Sequence, residues 1–149
     1  MKGSGSPRKE RKKKIIHRSK YEDTVIQNLT DRGIEFEYEP RTFVYQRPVR
    51  RAQCSSCGND TGIVVLRRYT PDIRLKVNGV FIELKGKFTG ENRSQMEDFL
   101  RGSPGIDLRF LFMRDNWLTG KHKSRYSDWC RKLKVKYAIG TEIPDDWLK

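Results

Sequence analysis

No apolar run in these 149 residues approaches the ~20 that a membrane-spanning helix needs, so the sequence offers no membrane span. The first residues also lack the apolar core of a secretory signal. Cysteine is scarce, at three residues, and without a signal these read as thiols in a reducing cytosolic setting, not as a disulfide framework. Histidine is scarcer still. His17 and His122 are the two present; neither lies in an acid–base motif, and both read as surface residues or phosphate contacts. Acid is outnumbered, with 19 Asp and Glu against 32 Lys and Arg, a net charge of +13. That surplus points to a polyanionic partner, most simply nucleic acid. With 35% hydrophobic and 34% charged residues, the chain predicts one domain with a modest core and a heavily ionic surface.

Much of the charge sits at one end. Residues 1–18 read as a flexible basic arm in which Lys12, Lys13, Lys14 and Arg18 are candidate phosphate contacts. Up to Lys20, nine basic residues face the single acid Glu10. A plain solvated tail is the alternative. Residues 19–149 read as the folded domain, with an insertion at about 47–62 that carries Cys54 and Cys57.

Ser19 can cap a helix, and Glu22 three residues on completes a capping-box spacing. That helix runs to about Arg32, is stopped by Gly33, and has Tyr21, Val25, Ile26 and Leu29 as its apolar stripe. Residues 34–39 alternate strictly and predict a strand, with Phe43–Tyr45 continuing it beyond Pro40. Another strand opens at Ile63–Leu66. Residues 88–92 read as a loop, 93–101 as a helix, and 108–113 as a buried strand. A helix over 124–133, a short strand over 135–139 and a helical turn over 144–148 complete the pattern.

The most informative segment lies in the middle. Pro71-Asp72 is followed, after ten residues, by Glu83-Leu84-Lys85. Residues 74–77 and 80–85 predict two strands joined by a tight Asn78-Gly79 turn. Asp72 then stands near the start of one strand, and Glu83 and Lys85 project from one face of the other. Two carboxylates and an ammonium at the end of a hairpin can bind Mg²⁺ and act on a phosphodiester. A solvated strand face would carry the same residue types, and a lone ExK means little. The combination with Asp72 after Pro71, the Asn-Gly turn and the basic chain favours the nuclease reading. Arg50, Arg51, Arg67 and Arg68 flank the motif strand and are further candidate phosphate contacts.

Several segments, taken in order, resemble the phage endonuclease I family of four-way (Holliday) junction resolvases. They are Tyr21-Glu22-Asp23, Gly33 through Glu39, Tyr69-Thr70-Pro71-Asp72, Phe81 through Gly86, Ser127-Asp128-Trp129-Cys130 and Ile143 through Trp147. The resemblance implies a mixed α/β, restriction-endonuclease-like PD-(D/E)xK core in an intertwined, domain-swapped homodimer. It implies that the catalytic set is Glu22, Asp72, Glu83 and Lys85, although spacing alone favours a capping role for Glu22. Mg²⁺, replaceable by Mn²⁺, would be held by Asp72, Glu83 and the Leu84 carbonyl, with Glu22 helping to hold a second ion. The substrate implied is branched DNA, and the setting, for a phage-encoded chain, is the cytoplasm of the bacterial host. The helix glutamate of one chain would complete the site of the other.

Two other functions fit the same residues. One is a sequence-specific restriction or repair endonuclease on the same core. The other is a non-catalytic DNA-binding protein whose acids are surface decoration. The insertion, which departs from the family pattern, adds a further candidate site. Cys54-Ser55-Ser56-Cys57-Gly58 has the spacing of one zinc knuckle, and four ligands would need two thiolates from each protomer of a dimer. Reduced surface thiols and a redox pair are the alternatives. Cys130 reads as core.

Overall fold

The computed structural model describes residues 19–49, 54–59 and 61–149. Helix α1, Lys20–Asp31, starts where expected because the Ser19 hydroxyl accepts the Glu22 N–H at 3.2 Å. It ends in a Schellman motif. Gly33 takes φ +67°, its N–H reaches the Thr30 carbonyl, and the Ile34 N–H returns to the Leu29 carbonyl. Tyr21, Val25, Ile26 and Leu29 are buried as a stripe, each contributing roughly 1.5–3 kcal/mol of apolar burial.

The main sheet has five strands in the order β1-β4-β5-β6-β7. These are β1 Phe36–Tyr38, β4 Ile73–Leu75, β5 Phe81–Lys85, β6 Leu108–Phe112 and β7 Tyr137–Ile139. The first three strands pair antiparallel and the last three parallel. The parallel pairs need crossovers, supplied by α2 (Gly90–Gly102) and α3 (Tyr126–Leu133). Helix α1 and the 3₁₀ turn Asp145–Leu148 cover one face, meeting Ile82, Leu84 and Leu111. The second face is aromatic, with Phe88, Phe99, Phe110, Phe112 and Trp129 packed at its centre. Every residue of β6 is buried, including Arg109, whose guanidinium pairs with Asp107 at 2.7 Å.

Four expectations change. Phe43–Tyr45 does not extend the first strand. Glu39 adopts φ +44° and Pro40 follows, so the chain leaves the sheet. Strand β2, Phe43–Pro48, pairs instead with β3, Val64–Tyr69, as a separate two-stranded sheet. Its inner face lies on α2, where Tyr45 packs edge-on against Phe99 and Arg47 pairs with buried Asp98 at 3.2 Å. Helix α2 begins three residues early, because Thr89 is its N-cap and accepts the Asn92 N–H. Helix α3 begins two residues late, because the Asp128 carboxylate takes the Arg125 N–H at 2.8 Å. The link between β4 and β5 is wider than a two-residue turn. Gly79 donates to Leu75, and the Asn78 side chain is pinned by the carbonyls of Trp147 and Lys149.

Candidate active site

Glu83 and Lys85 project from the same face of β5, as the alternation requires, but that face is covered. Glu83 is only 4% exposed. Both of its oxygens have partners: Oε1 meets Lys85 Nζ at 2.6 Å, and Oε2 accepts the hydroxyl of Tyr69, the last residue of β3. Asp72 stands just before β4, behind the buried ring of Pro71. Its Oδ2 accepts the Leu84 N–H at 2.7 Å, and its carbonyl accepts the Glu39 N–H at 2.8 Å. In an extended strand the N–H and C=O of one residue share an edge, so the Leu84 carbonyl lies on the strand edge that faces Asp72.

Glu22 comes from a third element, the first turn of α1. The Ser19 hydroxyl donates to Oε1 at 3.2 Å and the Tyr38 hydroxyl to Oε2 at 2.9 Å. The capping position and the site therefore coincide. Glu22, Asp72, Glu83, Leu84 and Lys85 line one cavity of about 440 Å³, closed on another side by Asn92, Gln95 and Met96 of α2. A single chain brings all four residues of the Glu-Asp-Glu-Lys set to it.

The electrostatics follow from burial. Desolvation, then the neighbouring Glu83 charge, push the Asp72 carboxyl up to about 8, against the pull of the Leu84 N–H and of Lys85. Burial draws Lys85 down, yet the Glu83 carboxylate outweighs it and holds the ammonium above its ordinary value. Burial and Glu83 likewise raise the Tyr69 hydroxyl, which stays a donor. Two close acids with one ammonium form a site short of positive charge. Among the described residues, no three acidic, histidine or cysteine side chains are closed up as a ready-made metal cluster.

Of the candidate DNA contacts, Arg67 and Arg68 are exposed on β3, and Arg68 reaches the cavity wall. Lys12, Lys13, Lys14, Arg18, Arg50 and Arg51 lie outside the described residues. Cys54 and Cys57 lie between β2 and β3 and do not line the cavity. His122 stacks on Trp117 at 5.2 Å, with the Arg125 guanidinium 3.9 Å from the same ring. No helix among the described residues is long and apolar enough to cross a membrane.

Tyr38, Tyr69, Asn92 and Gln95 were not legible as site residues. Tyr38 reads as one of an alternating strand, and Tyr69 as part of the Tyr69-Thr70-Pro71-Asp72 segment with no role of its own. Asn92 reads as loop and joins the site because α2 starts at Gly90, capped by Thr89; Gln95 lies within the predicted helix, and the packing of α2 beside the cavity brings it there. The signal for the earlier start was a Thr followed by Gly-Glu, a capping threonine with an acid in the first turn.

The phage endonuclease I family model matches residues 3–149. Endonuclease I of Escherichia phage T7 is 33% identical over 134 residues, covering 89% of this chain and 78% of that protein. Endodeoxyribonuclease 1 of Enterobacteria phage T3 is 31% identical over 123 residues, covering 81% of this chain and 70% of that protein. A match over nearly the whole chain, with the acids and the lysine of the motif gathered in one cavity, places the chain in the phage endonuclease I family.

Proposed function

We propose that the protein is a metal-dependent endonuclease that resolves four-way junctions and other branched DNA. The observation that carries this reading is the convergence of Glu22, Asp72, Glu83 and Lys85, from three separate elements, on one polar cavity. The family membership and the +13 charge support a DNA substrate.

The donor set fits a hard divalent cation. Asp72, Glu83 and the Leu84 carbonyl would hold Mg²⁺, Glu22 would help hold a second ion, and Mn²⁺ would be accepted by the same oxygens. Burial first and the Glu83 charge second raise the Asp72 carboxyl, and a bound cation would oppose both effects. When bound, Mg²⁺ supplies an acidified water and charge stabilisation on the attacked phosphate and the leaving 3′ oxygen. The chain supplies the rest. Lys85, paired with Glu83 at 2.6 Å, is placed to orient the attacking water or to offset phosphate charge. Tyr69 and Tyr38 fix the rotamers of Glu83 and Glu22. Arg68, Asn92 and Gln95 offer donors along the cavity wall to the backbone phosphates. The products are a 5′ phosphate and a 3′ hydroxyl.

The same reading takes the five-stranded sheet with Asp72 and Glu83 at its motif hairpin as a restriction-endonuclease-like core working as a homodimer. Two sites on one branched DNA then make paired nicks. Exchange of α1 and β1 between two chains would keep the contacts described above, because swapping re-routes the linker and leaves the packed faces unchanged.

The test is cleavage of a synthetic four-way junction with Mg²⁺, with Ca²⁺ as the non-catalytic control and linear arms as competitors. Preference for the junction, lost in Glu83→Ala, supports the proposal. Equal cleavage of the arms favours a restriction or repair enzyme. Binding with no cleavage under any metal favours a non-catalytic DNA-binding protein.

A further inference from the structure

The β2–β3 hairpin carries two features that the cavity chemistry leaves unused. The first is the turn at its far end. The Cys54 N–H bonds the Asn59 carbonyl at 2.8 Å, and the Gly58 N–H bonds the Cys54 carbonyl at 2.8 Å, with Gly58 at φ +71°. A side chain there would be strained, so glycine permits the turn. The turn brings Cys54 and Cys57, three residues apart, to its two sides. Both cysteines are at the surface, and neither is in a disulfide.

Two thiolates fill half of a tetrahedral zinc site. The described residues provide no third cysteine, histidine or acid near them. Cys130, the remaining thiol, is fully buried in the aromatic core.

The second feature is the outer face of the hairpin. Val44, Leu66 and Val64 alternate onto it at 61%, 69% and 44% exposure, flanked by Ile63 at 52%. Tyr45 and Tyr69 take the inner face instead. This exposed face, apolar at Val44, Val64 and Leu66 and carrying Gln46 opposite Leu66 and Arg68 opposite Val44 at its cavity end, is an interaction surface on the same hairpin that bears the half-filled knuckle. A two-fold axis beside the hairpin would double both features at once, covering the apolar face with its own copy and bringing four thiolates together.

We infer that two copies of this chain meet through their β2–β3 hairpins and share one structural zinc ion, held by Cys54 and Cys57 of each copy. The site takes a borderline-soft cation through sulfur, and so differs in ligand chemistry from the oxygen-lined cavity. It does not rest on the nuclease reading and is tested without DNA.

Full-length protein purified without chelators should carry about one zinc per two chains by native mass spectrometry and elemental analysis. Cobalt(II) in its place should give the thiolate charge-transfer bands of a four-sulfur tetrahedral site, lost in Cys54→Ser and in Cys57→Ser. Leu66→Lys, which leaves the knuckle intact but charges the apolar face, should weaken cobalt binding at least tenfold. One zinc per chain, or cobalt binding indifferent to Leu66→Lys, would overturn the shared site. A Cys54–Cys57 disulfide, or metal-free protein that gives no thiolate bands with added cobalt, would overturn the site altogether. Because the cobalt titration uses the unmodified protein, misfolding of a variant does not blunt the test.

Discussion

Tyr69 donates its hydroxyl to one oxygen of Glu83 while Lys85 Nζ holds the other at 2.6 Å. The tyrosine is itself clamped, its ring 4.4 Å from that of Phe99. A carboxylate fixed at both oxygens keeps one rotamer; for Glu83 as the proposed metal ligand, loosening such a partner is expected to cost roughly 10–100-fold in affinity or activity.

Tyr69→Phe keeps the ring and removes the donor. The Mg²⁺ concentration for half-maximal cleavage should rise by roughly 10–100-fold, with junction affinity in Ca²⁺ unchanged. A metal titration of cleavage rate checks it, and an unaltered Mg²⁺ dependence would show that Tyr69 serves packing alone.

Asp72 makes metal-free stability depend on pH. Its carboxyl is about 8 in the folded chain against 3.8 for a free aspartate. Between those values the folded state keeps a proton that the unfolded state has lost. Stability should therefore fall as pH rises from about 4 to about 8, with a slope of at most ~1.4 kcal/mol per pH unit from this group. Urea midpoints measured in chelator should trace that decline, and Asp72→Asn should flatten it. The same variant, like Glu83→Gln, should lose several orders of magnitude in cleavage rate while still binding junctions through phosphate contacts.

Mixed dimers report which chain supplies Glu22. With α1 exchanged, co-expressed Glu22→Ala and Glu83→Ala chains should regain one working site per heterodimer, about half the wild-type nicking rate on a junction. Nicking by purified heterodimers is the measurement. Silent heterodimers would mean that each cavity is completed by its own α1.

Deleting residues 1–14 removes seven basic residues: Lys2, Arg8, Lys9, Arg11, Lys12, Lys13 and Lys14. Junction and duplex binding should both weaken, and the slope of log K against log salt should become shallower by up to ~0.9 for each phosphate that the arm neutralises. Cleavage at saturating protein should persist. Binding isotherms at several salt concentrations check this, and an unchanged slope would take the arm out of the DNA interface.

The sequence by itself determined what depends on near neighbours. Ser19 and Gly33 bound α1 because a cap and a left-handed glycine act within one turn. Glu83 and Lys85 share a face because a strand has period two. The apolar residues Leu108, Phe110, Leu111 and Phe112 announced a buried strand, with Arg109 the one charge among them. Tertiary structure alone decided what depends on distant ones. The bond from Tyr38 to Glu22 spans 16 residues and that from Tyr69 to Glu83 spans 14, and no local periodicity encodes either. Glu22 looked like a cap because a cap is all its neighbours require; it joins the cavity because α1 packs on Ile82 and Leu84 and so carries its first turn to the end of β5. Strand β2 left the main sheet for a similar reason. Glu39 and Pro40 broke the extension locally, but its new place was set by Phe99 and Asp98 on a helix some fifty residues away, where burying Tyr45 and pairing Arg47 outweighs one more edge strand.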